Sequence, residues 1–184
     1  MDESDAALLA RTALGEERAF ELLYARHATP LIAYAQSILG ERGLAEETLQ
    51  DTFVAVWRGA GGFEHRSAVR TWLFGICRRQ ALKRLRGRQP QTAPAEWAEG
   101  VPSTDPSPEA VVIARADAAA VAGALVTLSV QHREVLDLAF GARLSQTDIA
   151  EVLGVPLGTV KSRLFHARAV LARALPAEVE RTAG

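Results

Sequence analysis

The chain is poor in the residues that catalytic and metal chemistry depend on. Its 184 residues include one cysteine, Cys77, and four histidines, His27, His65, His132 and His166. A single thiol excludes an intramolecular disulfide and any multi-cysteine metal site. The histidines are scattered without the short spacing that metal ligands use, so no metal is expected. No glycine-rich loop follows a strand in the manner of a phosphate cradle, and no cofactor is expected. Without a catalytic constellation, the chain is not expected to be an enzyme. No stretch approaches 18 uninterrupted apolar residues, which argues against membrane insertion. The start, MDESDAALLA, is acidic and lacks the basic and then apolar order of a signal peptide, so a cytoplasmic protein is expected.

Helical periodicity is what the sequence has instead. Apolar residues make up 48%, ordinary for a globular protein, and no run of alternating β-branched residues stands out. The expected fold is all-α: two small helical domains joined by a flexible linker, the C-terminal one a helix-turn-helix. The net charge of −1 conceals strong local blocks. Residues 1–64 carry 5 basic and 11 acidic groups, whereas residues 65–88 carry 8 basic groups and no acid. Residues 157–184 are basic again, with 5 against 2. A phosphate-binding surface needs local, not global, positive charge.

Residues 5–39 read as two amphipathic helices broken at Gly15. Pro30 either opens a helix or bends one, and the pattern leaves both open. Leu44 to Arg58 is a further helix, with Leu49, Phe53, Val56 and Trp57 on one stripe and Glu47, Asp51 and Arg58 turned away. After the loop Gly59–Phe63, Leu73, Cys77, Ala81 and Leu85 form an apolar strip. Trp72, Arg79, Lys83 and Arg86 form another on a different side. Basic residues interleaved with an aromatic can track a backbone and stack an unpaired base; the plainer reading is a face that only neutralises charge. Cys77 lies on the apolar strip and reads as a small core residue. Residues 87–109 hold five of the eight prolines and read as a linker, which fully extended would reach roughly 70 Å at ~3.3 Å per residue. Trp97 is unusual in a spacer and reads as an anchor on a partner. An Ala-rich helix follows, and then one capped by Ser129, with Val135, Leu138 and Ala139 inward.

The stretch LSQTDIAEVLGVPLGTVKSRLFHARAVLARAL, residues 144–175, organises the rest. Ser145 and Asp148 have capping-box spacing, Gly154 suits a left-handed helix end, and Pro156 bars direct continuation. On the second helix Val160, Leu164, Ala167 and Leu171 share a stripe, while Ser162, His166 and Arg173 lie opposite and Thr159 nearby. Lys161 and Arg163 flank the stripe. A short helix, a Gly-containing turn and a basic second helix is a helix-turn-helix pattern, whose second helix enters the major groove. An ordinary helical hairpin with a solvated basic face is the alternative.

GVPLGTVKSRLFHAR resembles the promoter-reading helix of extracytoplasmic-function (group IV) sigma factors of bacterial RNA polymerase. AEETLQDTFVAVWR is similar to the same family's polymerase-gripping segment, FEHRSAVRTWL to its F-x-x-x-S-x-x-x-T-W-L, and ALVTLSVQHREVLDLAF to its A-L-x-x-L-P-x-x-x-R-E-V-L. The resemblance spans about residues 6–88 and 110–175, with the motifs in order. It implies a polymerase-binding and −10-element domain over residues 1–88, a linker over 89–109, a −35-reading domain over 110–176 and a tail over 177–184. It implies core RNA polymerase (the β′ coiled coil and the β flap), promoter DNA and an anti-sigma factor as partners. Residue by residue, it makes Glu47, Leu49, Gln50 and Asp51 polymerase contacts. The −10 surface falls on Arg66, Arg70, Trp72, Arg79, Lys83 and Arg86, and the −35 readers are Thr159, Lys161, Ser162, Arg163 and His166. Thr159 is expected to touch phosphate or cap its helix. Arg79 stands where the family usually has asparagine, and His166 where arginine is common. The competing reading is a free-standing helix-turn-helix repressor or activator, which leaves the 65–88 block without a role.

Overall fold

In a computed structural model of the chain, residues 3–88, 123, 125 and 127–174 are described. The expected linker at 89–109 with Trp97, the start of the second domain at 110–122 and the tail at 177–184 lie outside them. Every regular element among the described residues is helical.

Helix α1 spans Asp5–Ala13 and is opened by Ser4, whose hydroxyl accepts from the Ala7 N–H at 3.2 Å. Gly15, at φ +85°, turns the chain into α2, Glu17–Leu39. Helix α2 runs unbroken through Pro30. The proline removes one backbone donor, but buried Leu23 and His27 before it and Leu31, Tyr34 and Leu39 after it tie both halves into the core. Gly40, left-handed at φ +70°, ends α2, and α3 follows as Arg42–Gly59. A 3-10 turn, Ala60–Gly62, and a short loop lead to α4, Val69–Arg88. Leu73, Phe74, Cys77 and Ala81 bury one side of α4 completely against α2 and α3.

In the C-terminal half residues 123, 125 and 127 are helical, and α5, Val130–Leu136, follows with its first turn capped by Ser129 as its position implied. The chain then widens into a π-helical turn, Asp137–Gly141, which periodicity does not reveal. Helix α6, Gln146–Leu153, carries the expected capping box: Ser145 Oγ accepts from Asp148 N at 3.1 Å, and Asp148 Oδ2 accepts from Ser145 N at 3.2 Å. Gly154, at φ +66°, ends it, and α7, Leu157–Ala174, starts beyond Pro156. Val135, Leu138, Ile149, Leu153, Val160, Leu164 and Ala167 fill the centre of this half.

The two halves lie against each other. One continuous apolar cluster includes core residues of both, and α4 packs on α6.

Candidate nucleic-acid interface

The second helix of the helix-turn-helix sorts its polar residues by side. A helix advances about 100° per residue, so Thr159, Ser162, Arg163 and His166 fall on one face, away from buried Val160, Leu164 and Ala167. Ser162 and His166 are exposed, whereas Thr159 and Arg163 are half-buried. Lys161 is exposed on a different side, lining a shallow groove with Leu164, Phe165 and Arg168. The five expected readers therefore divide four to one. Thr159 also does not cap α7. The Pro156 carbonyl accepts from Thr159 N at 2.9 Å, which puts Thr159 inside the first turn. The His166 ring lies 6.0 Å from that of His132 on α5. Partial burial, then His166 and Arg163, hold the His132 imidazole below its ordinary pKa. Its Nδ1 sits 2.8 Å from Ser129 Oγ.

The basic helix α4 divides in the same way. Arg79, Lys83 and Arg86 are exposed along one strip. Trp72, expected on that strip as a stacking residue, is half-buried against Phe63 at 5.2 Å, with the Gly59 backbone under its ring. Its packing fixes the ring in the wall of the module. Arg66 lies in the preceding loop, paired with Glu64 at 2.7 Å and well exposed. Arg70 faces elsewhere. Its Nε donates to the Ala142 carbonyl at 2.8 Å, and its guanidinium lies 5.8 Å from the Phe74 ring centre. Arg70 is thus turned toward the C-terminal half, because two residues along a helix is more than half a turn from Trp72.

On α3, Glu47, Gln50 and Asp51 are exposed, but Leu49 is only 5% exposed and belongs to the core. Its expected role as a surface contact is corrected to a packing one. Glu47 and Asp51 are not simply solvated. Arg84 of α4 donates from Nη1 to Glu47 at 2.5 Å and from Nη2 to Asp51 at 2.6 Å. The four-residue spacing of the two acids was visible in the sequence; the arginine that spans them comes from another helix.

A further network has no counterpart in the expected sites. Glu134, 6% exposed on α5, accepts from the Tyr34 hydroxyl and from Arg78 Nε, each at 2.9 Å. Burial, then the Glu134 carboxylate, pushes the Tyr34 phenol well above its ordinary pKa, so it remains a donor. Cys77 is fully buried, and burial pushes its thiol up to about 12, far from a reactive thiolate. Among the described residues no group of three or more His, Cys, Asp or Glu side chains is placed to hold a metal, and no helix is long and apolar enough to cross a membrane.

Two family models match the chain: Sigma-70 region 2 over residues 23–91 and Sigma-70, region 4 over residues 124–173. Among curated relatives, RNA polymerase sigma factor CnrH of Cupriavidus metallidurans is 36% identical, with 98% of each chain covered. ECF RNA polymerase sigma factor SigM of Mycobacterium tuberculosis is 38% identical over 95% of this chain and 86% of its own. Among solved structures, CnrH in complex with the cytosolic domain of CnrY superimposes with a TM-score of 0.67 at 31% identity, covering 93% of this chain and 96% of that one. The sigma factor RpoE of Bartonella quintana, solved with the anti-sigma factor NepR, gives 0.63 at 28% identity, covering 86% and 98%.

Proposed function

The chain belongs to the extracytoplasmic-function sigma factors of RNA polymerase, and on that premise we propose how its two halves divide the work. As a sigma factor it joins core RNA polymerase reversibly and directs it to promoters. The observation that carries the division of labour is the pair of outward polar faces, one on α4 and one on α7, each backed by its own buried stripe.

Residues 1–88 form the unit that docks on polymerase and holds the −10 element. Glu47, Gln50 and Asp51 present the docking edge of α3, with β′ as the partner. Arg79, Lys83 and Arg86 track the DNA backbone along α4, and Arg66 adds charge from the loop. Trp72 supports that face from within the wall. Residues 110–176 form the unit that reads the −35 element and meets the β flap. Helix α7 enters the major groove with Ser162, Arg163 and His166 foremost. Arg163 supplies bidentate base or phosphate contact, while His166 offers one ring nitrogen where arginine would offer a fork. Thr159 touches phosphate, and Lys161, on the other side, meets backbone or polymerase rather than base edges.

CnrH was solved with the cytosolic domain of CnrY bound, and the Bartonella RpoE with the anti-sigma factor NepR. A protein of that class is the proposed regulator of this chain. The work is binding and strand capture, with no covalent chemistry assigned to its side chains.

Run-off transcription from a promoter library, with core polymerase and with or without the chain, tests the reading. Promoter-selective transcripts should require both. Tight duplex binding by the chain alone, with no gain in polymerase activity, would favour a free-standing repressor instead.

A further inference from the structure

Arg84 of α4 points away from the strip assigned to DNA. At about 100° per residue it falls within about 20° of buried Leu73 and Cys77, and about 100° or more from Arg79, Lys83 and Arg86. Its stem therefore continues the apolar strip, and its guanidinium emerges where α4 packs on α3. There Nη1 donates to Glu47 Oε2 at 2.5 Å and Nη2 to Asp51 Oδ2 at 2.6 Å. One planar fork thus spans two acids a turn apart on α3. The Arg84 side chain is 25% exposed, against 59% for Glu47 and 52% for Asp51. The cation lies beneath and the carboxylates lie outermost.

Stability is a poor account of this clasp. Ion pairs with partners this exposed contribute little to folding. Arg84 Nε is also buried with no hydrogen-bond partner among the described residues, which offsets part of what the two pairs contribute. The larger effect is on the acids themselves. Glu47 and Asp51, four residues apart on one helix, would repel each other and turn freely without the fork. Held by it, they give up side-chain freedom before a partner arrives, a cost otherwise met on binding. Each commits one oxygen to Arg84 and has a second, Glu47 Oε1 and Asp51 Oδ1. Two carboxylates on one guanidinium carry a net negative charge and only accept hydrogen bonds, so the group fits a basic side chain.

We propose that Arg84 is a positioning residue for polymerase docking: it clasps Glu47 and Asp51 so that their second oxygens are offered together to a basic side chain of the polymerase. The proposal rests on the sigma-factor reading and on the docking edge of α3 proposed with it. It takes Arg84 out of the DNA-tracking charge of α4 and gives it to the opposite partner.

The test is titration of the full chain into core polymerase without DNA, so that DNA contacts of α4 are not read. Arg84→Met keeps the apolar stem and removes the fork, and affinity should fall at least about fivefold. A smaller loss overturns the proposal. So does tighter binding, the result expected if Arg84 only screens the two acids from a basic partner. Arg84→Lys keeps the charge but offers a point in place of a fork, and should fall at least about threefold; a smaller loss overturns positioning by the fork. In a chain carrying Glu47→Gln and Asp51→Asn, adding Arg84→Met should cost less than twofold. A larger loss there means that Arg84 acts through packing alone and overturns the proposal. If a thermal melt shows that the Arg84→Met chain does not fold, the Arg84→Lys chain decides. Failure of the unmodified chain to bind core polymerase would instead overturn the sigma-factor reading. Unweakened binding by the Glu47→Gln, Asp51→Asn chain would overturn the docking edge and the role of Arg84 with it.

Discussion

Asp5 of α1 and His27 of α2 meet at 2.8 Å between Oδ2 and Nε2, and the imidazole is 1% exposed. Its other nitrogen, Nδ1, has no hydrogen-bond partner among the described residues. The arrangement suits a neutral ring that carries its proton on Nε2 and donates it to the carboxylate. A second proton would place an unmet N–H in the core. Burial accordingly lowers the His27 pKa, and the attraction of Asp5 does not overcome it.

A depressed imidazole pKa gives stability a definite pH dependence. As pH falls, the unfolded chain takes up the proton before the folded chain does. This contribution is whole above the unfolded value of ~6.5 and is lost below it, until the folded-state value is reached. Unfolding free energies from urea titrations at pH 7.5, 6.5 and 5.5 should fall with a slope of up to ~1.4 kcal/mol per pH unit, and His27→Gln should flatten that slope. An equal slope in the variant would show that other groups govern the acid side.

Leu49 and Gln50 are neighbours with opposite roles. Leu49→Ala should cost on the order of 2–5 kcal/mol in denaturant unfolding, since it empties a core position. Gln50→Ala, on the exposed side, should leave stability within about 0.5 kcal/mol and weaken binding to core polymerase. Calorimetry paired with polymerase titration separates the two, and a stable Leu49→Ala chain that fails to bind polymerase would return Leu49 to the contact surface.

The Ser145–Asp148 box is local and its energy should be modest. Ser145→Ala should destabilise the fold by about 1 kcal/mol. Because Asp148 also accepts from Thr71, Asp148→Ala should cost more than Ser145→Ala. Equal losses in a thermal melt would mean that the contact with α4 adds nothing to the free chain's stability.

The two proposed DNA faces should respond differently to substitution. Lys83→Ala should weaken promoter binding almost uniformly across sequences and reduce the salt slope by about 1. His166→Arg should shift preference at one −35 base pair toward guanine by roughly 1–3 kcal/mol, because a fork replaces a single nitrogen. Binding to a −35 library over a salt series distinguishes these outcomes. A promoter preference left unchanged by His166→Arg would remove His166 from the readers.

The features legible in the sequence were those set within a few residues. Ser145, Asp148 and Gly154 announced α6 and its end because a cap is satisfied locally. The buried stripe of α7 followed from spacing alone as far as Ala167, and that of α4 as far as Ala81; Leu171 and Leu85, next on each, are half-buried. Pro30 stayed ambiguous because its outcome depends on what both halves of α2 pack against. The π-helical turn at 137–141 was hidden, since it adds a residue to a turn without changing the apolar count. Leu49 was assigned by likeness to a contact surface, yet its side chain falls on the buried side of α3. Arg84 across Glu47 and Asp51 joins positions more than thirty residues apart, and Tyr34 with Glu134 joins positions a hundred apart. No periodicity reports such pairings.

The central claim is that α4 holds the −10 element while α7 reads the −35 element in the same complex. Photo-crosslinking from single positions in the reconstituted polymerase complex tests it most directly, with the probe at Lys83 in one chain and at Ser162 in another. The account predicts cross-links from position 83 to the −10 strand and from position 162 to the −35 duplex. Cross-links from both positions to one element, or to polymerase alone, would contradict it.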